Sequence, residues 1–434
     1  MKKIVGIIAA AALVASAFAE VNIGSWSRGA FVPVATDADG NVNAFEGANW
    51  DNNGNGTDGY KYGVRTGLGF SGSTENAGFV FDVFGSAGTT GAGLGIGDNA
   101  YVWVKPIEML RVAFGQVDNN WGRTDVCFGN YDHAMRYRLL PNGEGIGAER
   151  DHYGTGVNIT LQPVEGLIID YQGGFGAAGE RAYKTLWHHA DLMVGYQADF
   201  GFIRAIFAPQ NPGINKKGES IEWAKIGLGA DITAVENLTI TAGVTIPTSF
   251  NGFTGEEKTI GSGSDGAYTE SDWEFDVKTG TYKLKDTLET KTTPSGFTGV
   301  ITIGAGAHYN LDPITIHGFV TSKLFPDPTE AKKSLKKGDD YSIDSFGVAL
   351  AAGVDFAIND QFTLITDFRF ATDKYNLACG NNEDPSWGAY VGLAQALSNA
   401  TFDFGVQLAN QYNGCGAVKD GVTFAIPLMI TTSF

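Results

Sequence analysis

Charged residues that lie inside apolar segments of this chain follow the two-residue period of a β-strand. In segments 224–228 and 402–406, one parity is apolar and the other carries glycine and a charge, and in segment 79–83 the charge has the parity opposite to three apolar residues. Asp82, Lys225 and Asp403 are the charges. Successive side chains of a strand point to opposite faces, so these charges share one polar face. The same parity predicts further members of that face, namely Arg65, Arg111, Asp170, Asp191, Arg204, Asp231, His308, His317, Asp367 and Arg369. Rows of charge on a wall interact with ions that pass along it.

The sequence holds no pattern typical of catalysis or metal binding. Residues 69–73 lack the closing glycine of a nucleophile elbow, and His188 and His189 have no ligand partner at metal spacing. Residues 51–56 match the opening of a calcium-binding EF-hand loop, but Tyr62 stands where the bidentate Glu belongs. We therefore predict no enzyme, no cofactor and no metal. A Ser-His phospholipase assembled from separated strands and a long-chain lipid transporter remain open alternatives.

The first residues have the order of a secretory leader. Lys2 and Lys3 precede the apolar run 4–14, and the small-residue site 17–19 precedes Glu20. This order predicts a signal peptide over residues 1–19. The mature protein is then predicted to be one domain, residues 20–434.

Segments of period two continue from Val21 onward and are joined alternately by short turns and long polar connections. Eight short turns give sixteen strands, and the first and last segments raise the predicted number to eighteen, with sixteen as the alternative. The turns are predicted at 73–76, 105–108, 163–166, 199–201, 234–237, 311–313, 358–360 and 397–399. Short turns at one end and long loops at the other are typical of an all-β, transmembrane antiparallel β-barrel. Trp103, Tyr171, Tyr309 and Trp387 lie near predicted strand ends, where aromatic residues mark the membrane interface.

The last fourteen residues, 421–434, place apolar side chains at alternate positions and finish on Phe434. This segment resembles the closing strand of Gram-negative outer-membrane β-barrels, and the whole pattern is similar to the outer-membrane porin family. The resemblance implies an outer-membrane location, contact with membrane lipid, and recognition of Phe434 by the barrel-assembly machinery. It also implies passive diffusion of small hydrophilic solutes and ions through a channel. A monomer and a homotrimer both remain open, and a surface adhesin or ligand-binding barrel is the alternative function.

The third long connection carries dense mixed charge. In general porins the loop at this position folds into the barrel, so the resemblance implies a constriction formed by Arg123, Asp125, Asp132, Arg136, Arg138 and Glu144. An ordinary outer loop is the alternative. We expect a modest cation preference that grows when Arg136 and Arg138 are neutralised.

The net charge, the cysteines and the sixth long loop each add one expectation. A formal net charge of -18 makes nucleic acid an improbable partner, because phosphate binding needs clustered basic residues. Cys379 and Cys415 fall in the adjacent eighth and ninth long loops, which predicts a disulfide and leaves Cys127 free. In the sixth long loop, residues 273–277 and 282–284 predict a hairpin too short to cross a membrane.

Overall fold

The computed structural model describes most of the strands and a smaller part of the connections between them. The described residues are 20–36, 42–46, 64–88, 91–117, 155–174, 190–210, 213–215, 220–250, 252–259, 262, 269–276, 281–285, 288, 290–294, 298–326, 343, 345–378, 384–411 and 418–434.

Almost every element in this part of the chain is a β-strand. The strands are β1 (Glu20–Thr36), β2 (Val42–Glu46), β3 (Val64–Ser73), β4 (Ala77–Gly88), β5 (Gly91–Ile107), β6 (Leu110–Gln116), β7 (Thr155–Leu161), β8 (Leu167–Gly174), β9 (Ala190–Ala198), β10 (Gly201–Pro209), β11 (Gly213–Asn215), β12 (Ser220–Ile221), β13 (Ala224–Val235), β14 (Leu238–Pro247), β15 (Gly252–Thr259), β16 (Trp273–Asp276), β17 (Thr281–Leu284), β18 (Thr290–Pro294), β19 (Ile301–Leu311), β20 (Ile314–Phe325), β21 (Ser345–Ala357), β22 (Phe362–Ala371), β23 (Ser386–Ala396), β24 (Ala400–Gln411) and β25 (Val418–Ser433). One helix, α1 (Asp373–Ala378), and one 3-10 turn, Glu270–Asp272, accompany them.

Eighteen strands form one closed antiparallel barrel. Their order is β1, β3 to β10, β13, β14 and β19 to β25, and each pairs with the next. The first strand closes the barrel, because β1 pairs on one side with β3 and on the other with β25. Trp26 lies opposite both Gly67 and Ser433. Eighteen strands are therefore confirmed, and the alternative of sixteen is wrong because both the first strand and the β3–β4 hairpin belong to the barrel.

The eight predicted turns are confirmed by the strand boundaries. One of them lies at 108–109 rather than 105–108, because β5 continues to Ile107 before the chain reverses. A second reversal depends on Gly201, whose φ of 137° is strained for other residues, and a side chain there would collide with the Asp231 carbonyl. Glycine is thus the residue that lets the chain reverse directly into β10.

The outer surface of the barrel is an exposed apolar band. Large apolar side chains on alternate positions of successive strands are exposed, among them Ile23, Leu68, Phe81, Val102, Ile203, Leu228, Ile303, Val354, Phe404 and Ile430. The residues of opposite parity face the interior and carry the polar and charged groups. A closed barrel with an apolar outside and a polar inside is the architecture of a transmembrane β-barrel in an outer membrane. Among the described residues, no helix has the length and apolar character needed to cross a membrane.

Several strands lie outside the barrel wall. β2 pairs with the end of β1, and β12, β11, β15 and β18 form a separate sheet. β16 and β17 form the two-stranded hairpin predicted in the sixth long loop, with Phe275 opposite Tyr282. The turn before this hairpin is held by Asp272, whose carboxylate accepts hydrogen bonds from Ser262 and Thr269. These bonds lower the pKa of Asp272 to about 2.

Candidate functional site

The barrel interior gathers most of the charged residues predicted to share one face. Asp170, Asp191 and Asp403 are fully buried there, and Arg204, Asp367 and Arg369 are at most 5% exposed. Asp82, Arg111, Lys225, Asp231 and His308 are partly exposed on the same face, and His317 is buried. Arg65 lies in β3 opposite Ser86, and its side chain is outside the described part of the structure. The geometry places the residues other than Arg65 on the inner wall, and the role of the whole set in lining a pore stays a prediction.

Arg204 and Asp231 form an ion pair across two adjacent strands. Arg204 Nη1 donates to Asp231 Oδ2 at 2.6 Å, and the Arg204 side chain is fully buried. Thr241 Oγ1 donates to Asp231 Oδ1 at 2.9 Å, and the Arg204 guanidinium lies 5.2 Å from the centroid of the Phe202 ring. The charge of Arg204 is therefore largely balanced within the wall.

Replacing Asp231 by Ala should destabilise the barrel, because the buried Arg204 guanidinium would lose its carboxylate. We expect the free energy of unfolding to fall by about 1–3 kcal/mol in urea titrations of the protein in detergent. Asp231→Asn keeps an acceptor for Thr241 and should lose less. An Asp231→Ala protein as stable as the wild type would show that this pair does not support the wall.

A second polar cluster surrounds Asp170. Asn158 Nδ2 donates to both carboxylate oxygens at 3.1 Å, and Thr160 Oγ1 donates to Oδ2 at 2.7 Å. Beside it, Gln172 Nε2 donates to the Val117 carbonyl at 2.7 Å, across the end of β6. The Asp170 carboxylate is therefore held in position by an amide and a hydroxyl of the neighbouring strand β7.

A third cluster lies on the far wall, where Asp367 and Arg369 belong to the same strand. Arg369 Nη2 is 3.2 Å from Asp367 Oδ2. By register, Asp367 lies beside Gly353 on one neighbouring strand and Tyr390 on the other. The His317 ring lies over Gly353, where a Cβ would collide with it. Imidazole, carboxylate and phenol groups therefore follow one row across the wall.

The helix α1 lies against the inner wall at the end of the barrel that carries the long connections. It belongs to the eighth long loop, between β22 and β23. A Cβ built on Gly347 would collide with the backbone of Tyr375, so the helix rests directly on this glycine. Gly347, Ala349 and Ala371 have the inward parity of β21 and β22, and Tyr375 packs with the two alanines. The helix consequently occupies part of the interior.

Side-chain contacts fix α1 in place. Tyr375 is 1% exposed, and Lys323 Nζ lies 5.2 Å from the centroid of its ring. Asn376 Nδ2 donates to the Asp384 carbonyl at 2.6 Å and to Ser386 Oγ at 2.8 Å. Thr372 Oγ1 accepts from Tyr375 N at 3.3 Å, as an N-terminal helix cap does. This helix was not predicted from the sequence, although Thr372 followed by an acidic residue is a helix-start signal.

The remaining predicted site residues fall outside the described residues. This group comprises the predicted constriction, Arg123, Asp125, Asp132, Arg136, Arg138 and Glu144, together with Cys127, Cys379 and Cys415.

The prediction that Trp103 belongs to the interfacial aromatic belt is wrong. Its ring lies on the inner face, because it shares parity with Tyr101 while Val102 and Val104 are exposed outside. No group of three or more His, Cys, Asp or Glu side chains suited to a metal occurs among the described residues.

Comparisons with known proteins find similarity at the level of solved structures. No protein-family model and no curated protein matches the chain. An anion-selective porin from Comamonas acidovorans is 10% identical with a TM-score of 0.46, and the match covers 96% of this chain and all of that one. OmpT from Vibrio cholerae, described as a trimer, is 11% identical with a TM-score of 0.44, covering 96% and 99% of the two chains. OccAB4 from Acinetobacter baumannii is 9% identical with a TM-score of 0.49, covering 96% and 98%.

These likenesses concern the overall fold alone. Closure by β1 and β25, the exposed apolar band and the charged interior are properties of this chain's own strands. The chain is a closed β-barrel of eighteen strands with the apolar exterior of a transmembrane β-barrel, and it is similar in fold to Gram-negative outer-membrane porins.

Proposed function

We propose that this protein is an outer-membrane channel for the passive diffusion of small hydrophilic solutes and ions. The observation that carries the proposal is the closed barrel of eighteen strands with charged residues on its inner face. A barrel of this size is too wide for wall side chains alone to fill, so its interior offers an aqueous path. Charged rows on the wall and the helix α1 then set what passes.

A swelling assay tests the proposal. Proteoliposomes containing the folded protein should swell in isosmotic sugar solutions, faster for small sugars than for large ones. Heat-denatured protein is the control, since it retains the same detergent and lipid background. Liposomes with folded barrel that swell no faster than protein-free liposomes would reject the channel.

The features of the chain beyond the described residues are part of the same proposal. Residues 1–19 are removed as a signal peptide, residues 20–434 form the single barrel domain, and Cys379 and Cys415 form a disulfide. The third long loop enters the interior and adds a constriction from the residues named above. The barrel has no enzymatic activity and binds no cofactor. Its ion selectivity is modestly cationic, with the preference fading as salt screens the acidic loops.

The proposed partners follow from the barrel surface. The apolar band contacts membrane lipid, and β25 with Phe434 is recognised by the barrel-assembly machinery. A homotrimer is the assembly to test, because a subunit interface and a lipid-facing wall are both apolar. Native mass spectrometry in detergent reports the number of chains directly.

A second candidate function is surface recognition, and one observation favours it. The hairpin β16–β17 carries three exposed aromatic residues outside the barrel, Trp273, Phe275 and Tyr282. Phe275 and Tyr282 stack edge to face, with ring centroids 5.3 Å apart. Exposed aromatic clusters are common at protein interfaces. A triple substitution to Ser that abolishes cell-surface adhesion and leaves swelling intact would favour this function.

A further inference from the structure

Arg111 occupies an unusual position on the inner wall. Its guanidinium carbon lies 5.3 Å from the centroid of the Tyr101 ring and 5.5 Å from that of Trp103, both on the adjacent strand β5. Arg111 has the parity of Ala113, which faces inward and is fully buried. Aromatic faces attract a guanidinium and orient its plane. The Arg111 guanidinium is thus positioned by cation–π contacts with the Tyr101 and Trp103 rings.

Lys105 adds a second positive charge beside the same rings. Its Nζ lies 5.8 Å from the Trp103 centroid, and the side chain is exposed. The Trp103 ring is itself fixed, because it lies over Gly78, where a Cβ would meet the indole at 2.7 Å. Four side chains thus form one group, the Arg111 station, namely Tyr101, Trp103, Lys105 and Arg111.

The Arg111 station differs from the other basic sites of the wall in its charge balance. Arg204 and Arg369 each have an aspartate within 3.2 Å. Within the described ranges, no carboxylate lies at ion-pair distance from Arg111 or Lys105.

The nearest wall carboxylate by register belongs to Asp170. Thr160 lies opposite Arg111, and Asp170 lies opposite Thr160 on the next strand. The Asp170 oxygens already accept hydrogen bonds from Asn158 and Thr160. Two positive charges therefore remain available to a mobile anion.

The position along the barrel suggests which mouth such an anion would meet. Arg111 is the second residue of β6, directly after the short turn at 108–109. Short turns lie on the periplasmic side of outer-membrane barrels. Arg111 is partly exposed, so a solute in the interior can reach this residue.

We propose that the Arg111 station is a binding site for small oxyanions, such as a carboxylate, at the periplasmic mouth of the barrel. The guanidinium fork matches two oxygens of a carboxylate or phosphate in parallel hydrogen bonds. Tyr101 and Trp103 hold the fork in place, which lowers the ordering cost of binding. Lys105 provides a second charge at the edge of the site. Binding does not depend on conduction, so the site is testable even where the proposed channel fails.

The direct test uses fluorine NMR of the full-length folded protein labelled with 5-fluorotryptophan. Sodium acetate and sodium phosphate are titrated separately, with sodium chloride at matched ionic strength as the reference. The Trp103 resonance, assigned with Trp103→Phe, should shift saturably with at least one oxyanion and little with chloride. Saturation with acetate alone assigns carboxylates as ligands, and saturation with phosphate alone assigns phosphate groups.

Three variants make the test specific. Arg111→Gln should weaken the titration about tenfold or more, because it removes the charge-assisted pair. Arg111→Lys keeps the charge without the fork and should fall in between. Lys225→Gln, an inward cation on another part of the wall, should bind as the wild type. An unchanged titration in Arg111→Gln, or a chloride shift as large as the oxyanion shifts, would overturn the proposal.

Discussion

Replacing Phe434 by Asp should sharply lower the amount of folded barrel in the outer membrane, while export across the inner membrane continues. Phe434 closes the barrel through its backbone: its N–H donates to the Ser25 carbonyl at 2.8 Å, and its carbonyl accepts from Ser25 N at 2.9 Å. Phe434 is 75% exposed as a residue, so its side chain contributes little to packing. The exposed side chain is therefore accessible to the barrel-assembly machinery that we propose as a partner.

Two variants separate assembly from stability. Phe434→Asp retains both backbone hydrogen bonds, so the refolded protein should lose at most about 1 kcal/mol of unfolding free energy in detergent. Phe434→Tyr keeps an aromatic ring and should assemble normally. The measurement is the heat-modifiable band in outer-membrane fractions, which we expect to drop by most of its intensity in Phe434→Asp only. Normal assembly of Phe434→Asp would mean that the ring is not the signal.

Removing the helix α1 should enlarge the conducting path. With its side chains a helix is about 10–12 Å across, so replacing Asp373–Ala378 by a short Gly-Ser segment should raise the single-channel current roughly 1.5- to 2-fold. A point variant tests the same idea. Gly347→Val places a side chain where the Tyr375 backbone lies and should displace the helix with a similar rise or with larger current fluctuations.

Gly95→Val is the matched control for the helix variants. Gly95 lies in β5, and a Cβ built there meets no atom within 4 Å. This variant should conduct as the wild type. If both the helix replacement and Gly347→Val conduct with wild-type current and noise, α1 does not limit the path.

The strands of this barrel could be predicted from the sequence because their signal is local. A lipid-facing wall imposes apolar residues at every second position. The turns at 163–166 and 234–237 carry Gly166 and Asn237, which adopt the positive φ that these reversals require. The inward parity of Arg204 and Asp231 followed from the same pattern. The pairing of β1 with β25 could also be predicted, because the alternating pattern includes both the first and the last strand of the barrel.

The parts that the sequence did not predict depend on distant contacts. The helix α1 is positioned by contacts with Gly347, Lys323 and Ser386, which belong to three different strands. The periodicity of the sequence near α1 carries no information about these contacts. The inward position of Trp103 also depends on residues of other strands. Its ring lies over Gly78 of β4 and beside Arg111 of β6. The strands β2, β11, β12, β15 and β18 lie outside the barrel wall. The membrane therefore imposes no alternation of apolar residues on their sequences.

Single-channel recording in planar lipid bilayers tests the channel most directly. Purified heat-modifiable protein should insert in discrete steps of stable current that rises linearly with voltage. The same preparation after heat denaturation should give none. Steps of uniform size that increase when α1 is replaced would support a pore with a helix in its interior, and a folded barrel that remains electrically silent would contradict it.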